Sequence, residues 1–142
     1  MQTRNKEFVT YKNGTWDVGL NLRAISDINN CYNFKFQKYT DGTFKITGYS
    51  ATSSGTLVAW TNTATIGSGA PIRLYNPMPS NALNRPYWYI VPYGTNTGTY
   101  TIKNQQNGTY LTWGSTVDLI MQWNTEDYWK FYDSNGNPVD IY

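Results

Sequence analysis

Apolar and polar residues alternate at every second position along much of the chain, the period of strands with one buried face. Phe34 and Phe36 are separated by Lys35, Trp88 and Ile90 flank Tyr89, and Trp129 and Phe131 flank Lys130. Helical spacing is nearly absent. Turn chemistry recurs at short intervals: Asn13-Gly14, Asp41-Gly42, Ser54-Gly55, Gly94, Asn107-Gly108, Gly114 and Asn135-Gly136. Short alternating runs between such turns predict an all-β barrel or sandwich. Twelve strands along 142 residues would take about 12 residues each with their turns, the usual spacing.

Internal repetition sharpens this picture. Three segments align: FVTYKNGTWDV from Phe8, FKITGYSATSSGTLVAW from Phe44 and YTIKNQQNGTYLTW from Tyr100. Each starts on an aromatic-led strand, turns at Asn-Gly-Thr or Ser-Gly-Thr, and re-enters a strand. A further strand follows in each, LNLRA from Leu20, IRLYN from Ile72 and IMQWN from Ile120, then an aromatic one, YNFKF, YWYIV and YWKFY. The polar turns YTDGT, YGTNTGT and DSNGNP close the units. The expected organisation is one domain over residues 1–142, with units at about 8–43, 44–99 and 100–142. A four-stranded unit cannot bury its own apolar face. Three that close on a pseudo-threefold axis can, and closure removes exposed sheet edges. The terminal VDIY is expected to pair with the strand near Phe8. The stretch from Asn76 to Pro86, with three prolines, reads as a stiff surface loop.

Composition narrows the chemistry. Charged residues make up 14% and aromatic residues 17% of the chain, far from the profile of a disordered protein. Histidine is absent. This excludes Ser-His-Asp and Cys-His nucleophile systems, histidine pH switches and the common zinc sites. Cys31 is the single cysteine, so no intramolecular disulfide framework exists. The net charge is +2 with scattered basic residues, and no nucleic-acid patch stands out. Alternation explains the run Phe34 to Tyr39 more simply than base stacking does. Asn13-Gly-Thr and Asn107-Gly-Thr match glycosylation sequons, but repeated turn chemistry accounts for both. No apolar run reaches the roughly 18 residues of a spanning helix, and MQTRNKEF has no signal-peptide core. The expected location is cytoplasmic, or released without a visible signal peptide. No membrane insertion by the chain itself and no cofactor are expected.

The repeat pattern resembles the β-trefoil fold and, within it, the ricin B-chain-like lectins, over nearly the whole chain. The best stretch runs from Tyr100 to Gly136. The family's Gln-x-Trp signature is degraded: its Trp position holds Phe34, Trp88 and Trp129, while its Gln position holds Tyr32, Pro86 and Asp127. The resemblance implies a non-enzymatic carbohydrate-binding protein. In such lectins a shallow site stacks an aromatic ring on the apolar face of a sugar, while Asp and Asn hydrogen-bond its hydroxyls. The platform position falls on Trp123, Tyr75 and Arg23, and Asn124 and Asn76 follow the two aromatic platforms. The family's key acid falls on Thr112, Ala59 and, with a one-residue gap, Asp17. Asp118 or Asp127 can substitute in the third unit. The favoured site is therefore Trp123, Asn124, Asp118 and Asp127, with Tyr75 and Asn76 second, and Asp17 the one retained acid.

The implied partners are glycans or glycoproteins, with a second copy of the chain or a separate toxin subunit supplying further sites. Two other functions compete. A trefoil protease inhibitor would present the 76–86 loop, with Arg85 facing the protease. A receptor-binding component of a toxin would share the sugar-binding physics. A glycosidase would need paired carboxylates across a cleft. Glu126 and Asp127 are instead neighbours in sequence, and no enzymatic activity is expected.

Overall fold

The computed structural model describes residues 2–3, 8–11, 18–23, 33–49, 54–59, 70–75, 86–95, 98–106, 108–113 and 120–141. Every regular element among them is a strand, and there is no helix among the described residues. In chain order the strands are β1 (Gln2–Thr3), β2 (Phe8–Tyr11), β3 (Val18–Arg23), β4 (Asn33–Lys38), β5 (Phe44–Tyr49), β6 (Ser54–Ala59), β7 (Ala70–Tyr75), β8 (Tyr87–Pro92), β9 (Tyr100–Asn104), β10 (Tyr110–Trp113), β11 (Ile120–Trp123) and β12 (Trp129–Lys130). All belong to one antiparallel sheet.

The pairing follows two themes. One row runs β1–β12–β9–β8–β5–β4, and no pairing joins β4 back to β1 among the described residues. The remaining strands form the hairpins β2–β3, β6–β7 and β10–β11. The hairpins meet one another through β7, which pairs with both β3 and β11. Each hairpin is also tied to the row, through β1–β2, β5–β6 and β9–β10. The fold is all-β and trefoil-like.

Two expectations about strand order need correction. Phe8–Tyr11 is not the first strand, because Gln2–Thr3 precedes it and pairs with it. The Asn13-Gly14-Thr15 sequence therefore lies in the connection of the β2–β3 hairpin, whereas Gly108 and Thr109 lie in the connection from β9 to β10. In chain order the two Asn-Gly-Thr sequences thus fall in different connections. Nor, among the described residues, does the C-terminal VDIY pair near Phe8. It is Trp129 and Lys130 that pair with Thr3 and Gln2, while the Val139 N–H donates to the Phe131 carbonyl.

The core is an aromatic and aliphatic plug. Phe44, Ile46, Leu57, Ile72, Leu74, Trp88, Ile90, Tyr100, Ile102, Leu111, Trp129 and Phe131 are buried, with Phe34, Phe36 and Ile141 packed against them. The alternation seen in sequence is the alternation of burial: along β8, Trp88 and Ile90 point in while Tyr89 is exposed. One contact recurs. The Trp88 indole N–H donates to the Leu57 carbonyl at 3.1 Å, and the Trp129 indole N–H to the Leu111 carbonyl at 2.9 Å. Each indole thus fills the interior and spends its one polar group on a hairpin strand, as a fully buried Trp must. Glycine is required where strands close on this plug. Gly48 stands opposite both Phe34 and Gly55. A Cβ at Gly48 would meet Leu74 Cδ1 at 2.8 Å, and one at Gly55 would meet the Tyr75 backbone N at 3.0 Å.

The polar turns are built alike. Between β4 and β5, the Tyr39 N–H donates to the Thr43 carbonyl and the Gly42 N–H to the Tyr39 carbonyl. Between Tyr132 and Pro138, the Asp133 N–H donates to the Asn137 carbonyl and the Gly136 N–H to the Asp133 carbonyl. Gly42 and Gly136 adopt φ of 85° and 81°, which a residue with a Cβ resists.

Candidate functional site

The β10–β11 hairpin positions the candidate residues Trp123 and Asn124. Its register pairs Tyr110 with Trp123, Leu111 with Gln122, Thr112 with Met121 and Trp113 with Ile120. Opposed residues on antiparallel strands share a face. Trp123 ends β11, so the chain leaves the sheet directly opposite Tyr110; the Trp123 side chain lies outside what the structure describes. The next residues, Asn124, Thr125 and Glu126, are exposed, and Asp127 then turns inward at 5% exposure. The Asp127 Oδ1 accepts the Tyr128 N–H at 2.9 Å. Trp129 follows at the centre of the core. The connection from β11 to β12 therefore has an outward half, 124–126, and an inward half beginning at 127.

Tyr110 links this connection to the sheet. Its hydroxyl donates to Glu126 Oε1 at 3.2 Å. On the neighbouring strand the Lys103 ammonium lies 5.7 Å from the Tyr110 ring centroid, a cation–π distance. Burial, then the Glu126 carboxylate, pushes the Tyr110 phenol above its ordinary value. Lys103 stands opposite both Tyr110 on β10 and Tyr89 on β8, and Tyr89 is 37% exposed. Tyr89, Lys103, Tyr110 and Trp123 thus occupy one row of cross-strand positions over four strands.

The sequence-based candidates divide as follows. Trp123 and Asn124 are adjacent where β11 ends, and Asp127 is near them in sequence but buried. Tyr75 ends β7, half-buried, opposite Thr56. Arg23 ends β3, opposite Phe8. The three platform positions therefore share one topological place, the last residue of a hairpin's second strand. Asp118, Asn76, Asp17 and the loop residues up to Arg85 lie outside the described residues. Thr112, at the family's acid position, is buried at 5% exposure, so that position offers no acid to a surface ligand. Tyr110, Glu126 and Lys103 escaped sequence reasoning. Glu126 stands out in sequence only as the neighbour of Asp127, and its partner lies 16 residues away across a hairpin. Among the described residues no three His, Cys, Asp or Glu side chains gather to hold a metal ion.

No family model matches the chain, and no curated protein matches it. Solved structures do. A designed 3-fold symmetric protein, ThreeFoil, superposes with a TM-score of 0.66 at 16% identity, over 96% of this chain and 92% of that one. A salivary protein from Culex quinquefasciatus, of the cysteine- and tryptophan-rich CWRC family, superposes with a TM-score of 0.67 at 14% identity, over 97% of this chain and 94% of that one. At such identities the likeness is one of fold. It supports the trefoil-like architecture over nearly the full chain.

Proposed function

We propose that this chain is a non-enzymatic carbohydrate-binding protein, a lectin of the ricin B-like kind, built from three four-stranded units. The three hairpins joined through β7, and the recurrent indole-to-carbonyl contact, support the three-unit reading. The observation that carries the function is the end of β11. There Trp123 leaves the sheet opposite Tyr110, and the exposed Asn124 and Glu126 follow within three residues. A pyranose has an apolar C–H face and a polar rim. An indole, an amide and a carboxylate within four consecutive residues supply the groups to match both.

Tyr75 with Asn76 forms the second site, while Arg23 leaves the first unit without an aromatic platform. Shallow sites of this kind bind weakly, with a millimolar Kd worth only about −4 kcal/mol. Useful attachment to glycoproteins then comes from several sites acting together, on one chain, on copies of it or beside a toxin subunit. The test is retention on immobilised sugars. The intact protein is retained, and Trp123→Ala is released while its thermal transition is unchanged. A folded Trp123→Ala that is retained like the parent removes Trp123 from the site.

A further inference from the structure

Of the acids that the lectin-like reading offers the third unit, Asp118 lies outside the described residues. The family position holds Thr112, which is buried and is not an acid. Asp127 is also buried, and its Oδ1 accepts the N–H of the next residue. One carboxylate on the β11–β12 connection does face solvent, two residues beyond Asn124. Glu126 is exposed, and among the described residues its one hydrogen bond comes from the Tyr110 hydroxyl. That hydroxyl is attached to the residue paired with Trp123.

We propose that Glu126 is the acid of the third-unit site, with Tyr110 as its positioning residue; this rests on the carbohydrate-binding reading. An ionised carboxylate has about four acceptor sites, and Tyr110 uses one. The others accept hydroxyl protons from a sugar seated against Trp123. Such charge-assisted bonds are about twice as strong as neutral ones. Unpaired, an exposed glutamate samples many rotamers and gives up their entropy on binding. The Tyr110 bond narrows that sampling beforehand. The ring that holds it is itself held, with the Lys103 ammonium against it and the sheet register beneath it. The proposed acid thus lies on the connection after β11, beyond the Tyr110–Trp123 end of the hairpin, rather than at the strand position on β10.

The test measures the affinity of the intact protein for a panel of methyl glycosides and their monodeoxy forms, using Glu126→Gln, Tyr110→Phe and the double variant. Glu126→Gln should weaken the best glycoside about tenfold, and Tyr110→Phe less. The double variant should be no weaker than Glu126→Gln alone, because Tyr110 acts through the carboxylate. The deoxy glycoside lacking the hydroxyl that Glu126 accepts should bind the parent and Glu126→Gln equally, a result that a merely structural role does not produce. A parent that binds a glycoside, with Glu126→Gln unchanged, overturns the assignment of the acid and leaves the carbohydrate-binding reading standing. A parent that binds no glycoside overturns both.

Discussion

The first and last thirds of the chain share a strand plan but not a chemistry. In the last third, Trp129 is fully buried and its N–H reaches Leu111 on the adjacent hairpin. The same position in the first third holds Phe34, which is only half-buried, packs beside Gly48 and has no polar hydrogen to donate. At the hairpin ends the contrast repeats, with Trp123 opposite Tyr110 in one case and Arg23 opposite Phe8 in the other. The fold tolerates this divergence because a plug needs volume first and a hydrogen bond second. For the proposed sugar site the exchange matters more, since a guanidinium is not a flat apolar ring.

The comparison is broken most forcefully at the plugs. Trp129→Ala should cost about 3–5 kcal/mol in urea unfolding. Phe34→Ala removes a ring already partly wet and should cost about 1–2 kcal/mol less. Equal losses would mean that both rings carry the core alike. A finer cut is Trp129→Phe, which makes the third unit resemble the first. It removes the donor to the Leu111 carbonyl as well as some volume, and should cost about 1–3 kcal/mol.

The smallest effect concerns the turns, where the two regions agree. The Thr43 hydroxyl, then its N–H, holds the Asp41 carboxyl below its ordinary value of 3.8. The Asn137 N–H, followed by other donors of the same loop, does so for Asp133. A carboxyl lowered in the folded state contributes stability that is present above the unfolded value. That contribution disappears as pH falls through the lower, folded value. Asp133→Asn should therefore flatten the fall in Tm on acidification below about pH 4, and a parallel acid limb in the variant would exclude Asp133 as a source.

The strand plan was legible because alternation, turn residues and large rings are local signals. The alignment also put Trp123, Tyr75 and Arg23 at like places, and each is the last residue of a hairpin's second strand. Two features were hidden. The two-residue strand Gln2–Thr3 is too short to show a period, so the first Asn-Gly-Thr was set one strand too early. The Tyr110–Glu126 bond joins residues whose approach depends on hairpin register, and no local pattern announces it. Asp127 shows what sequence position alone does not give: it lies just before the strand that carries Trp129, and its side chain is buried.

The most direct test is an NMR titration of the intact protein with its best methyl glycoside, following the indole N–H signals of the six tryptophans. The Trp123 signal should shift saturably, while those of Trp88 and Trp129, committed to Leu57 and Leu111, stay in place. A saturable shift confined to indoles other than Trp123, or none at any glycoside concentration, would contradict the account.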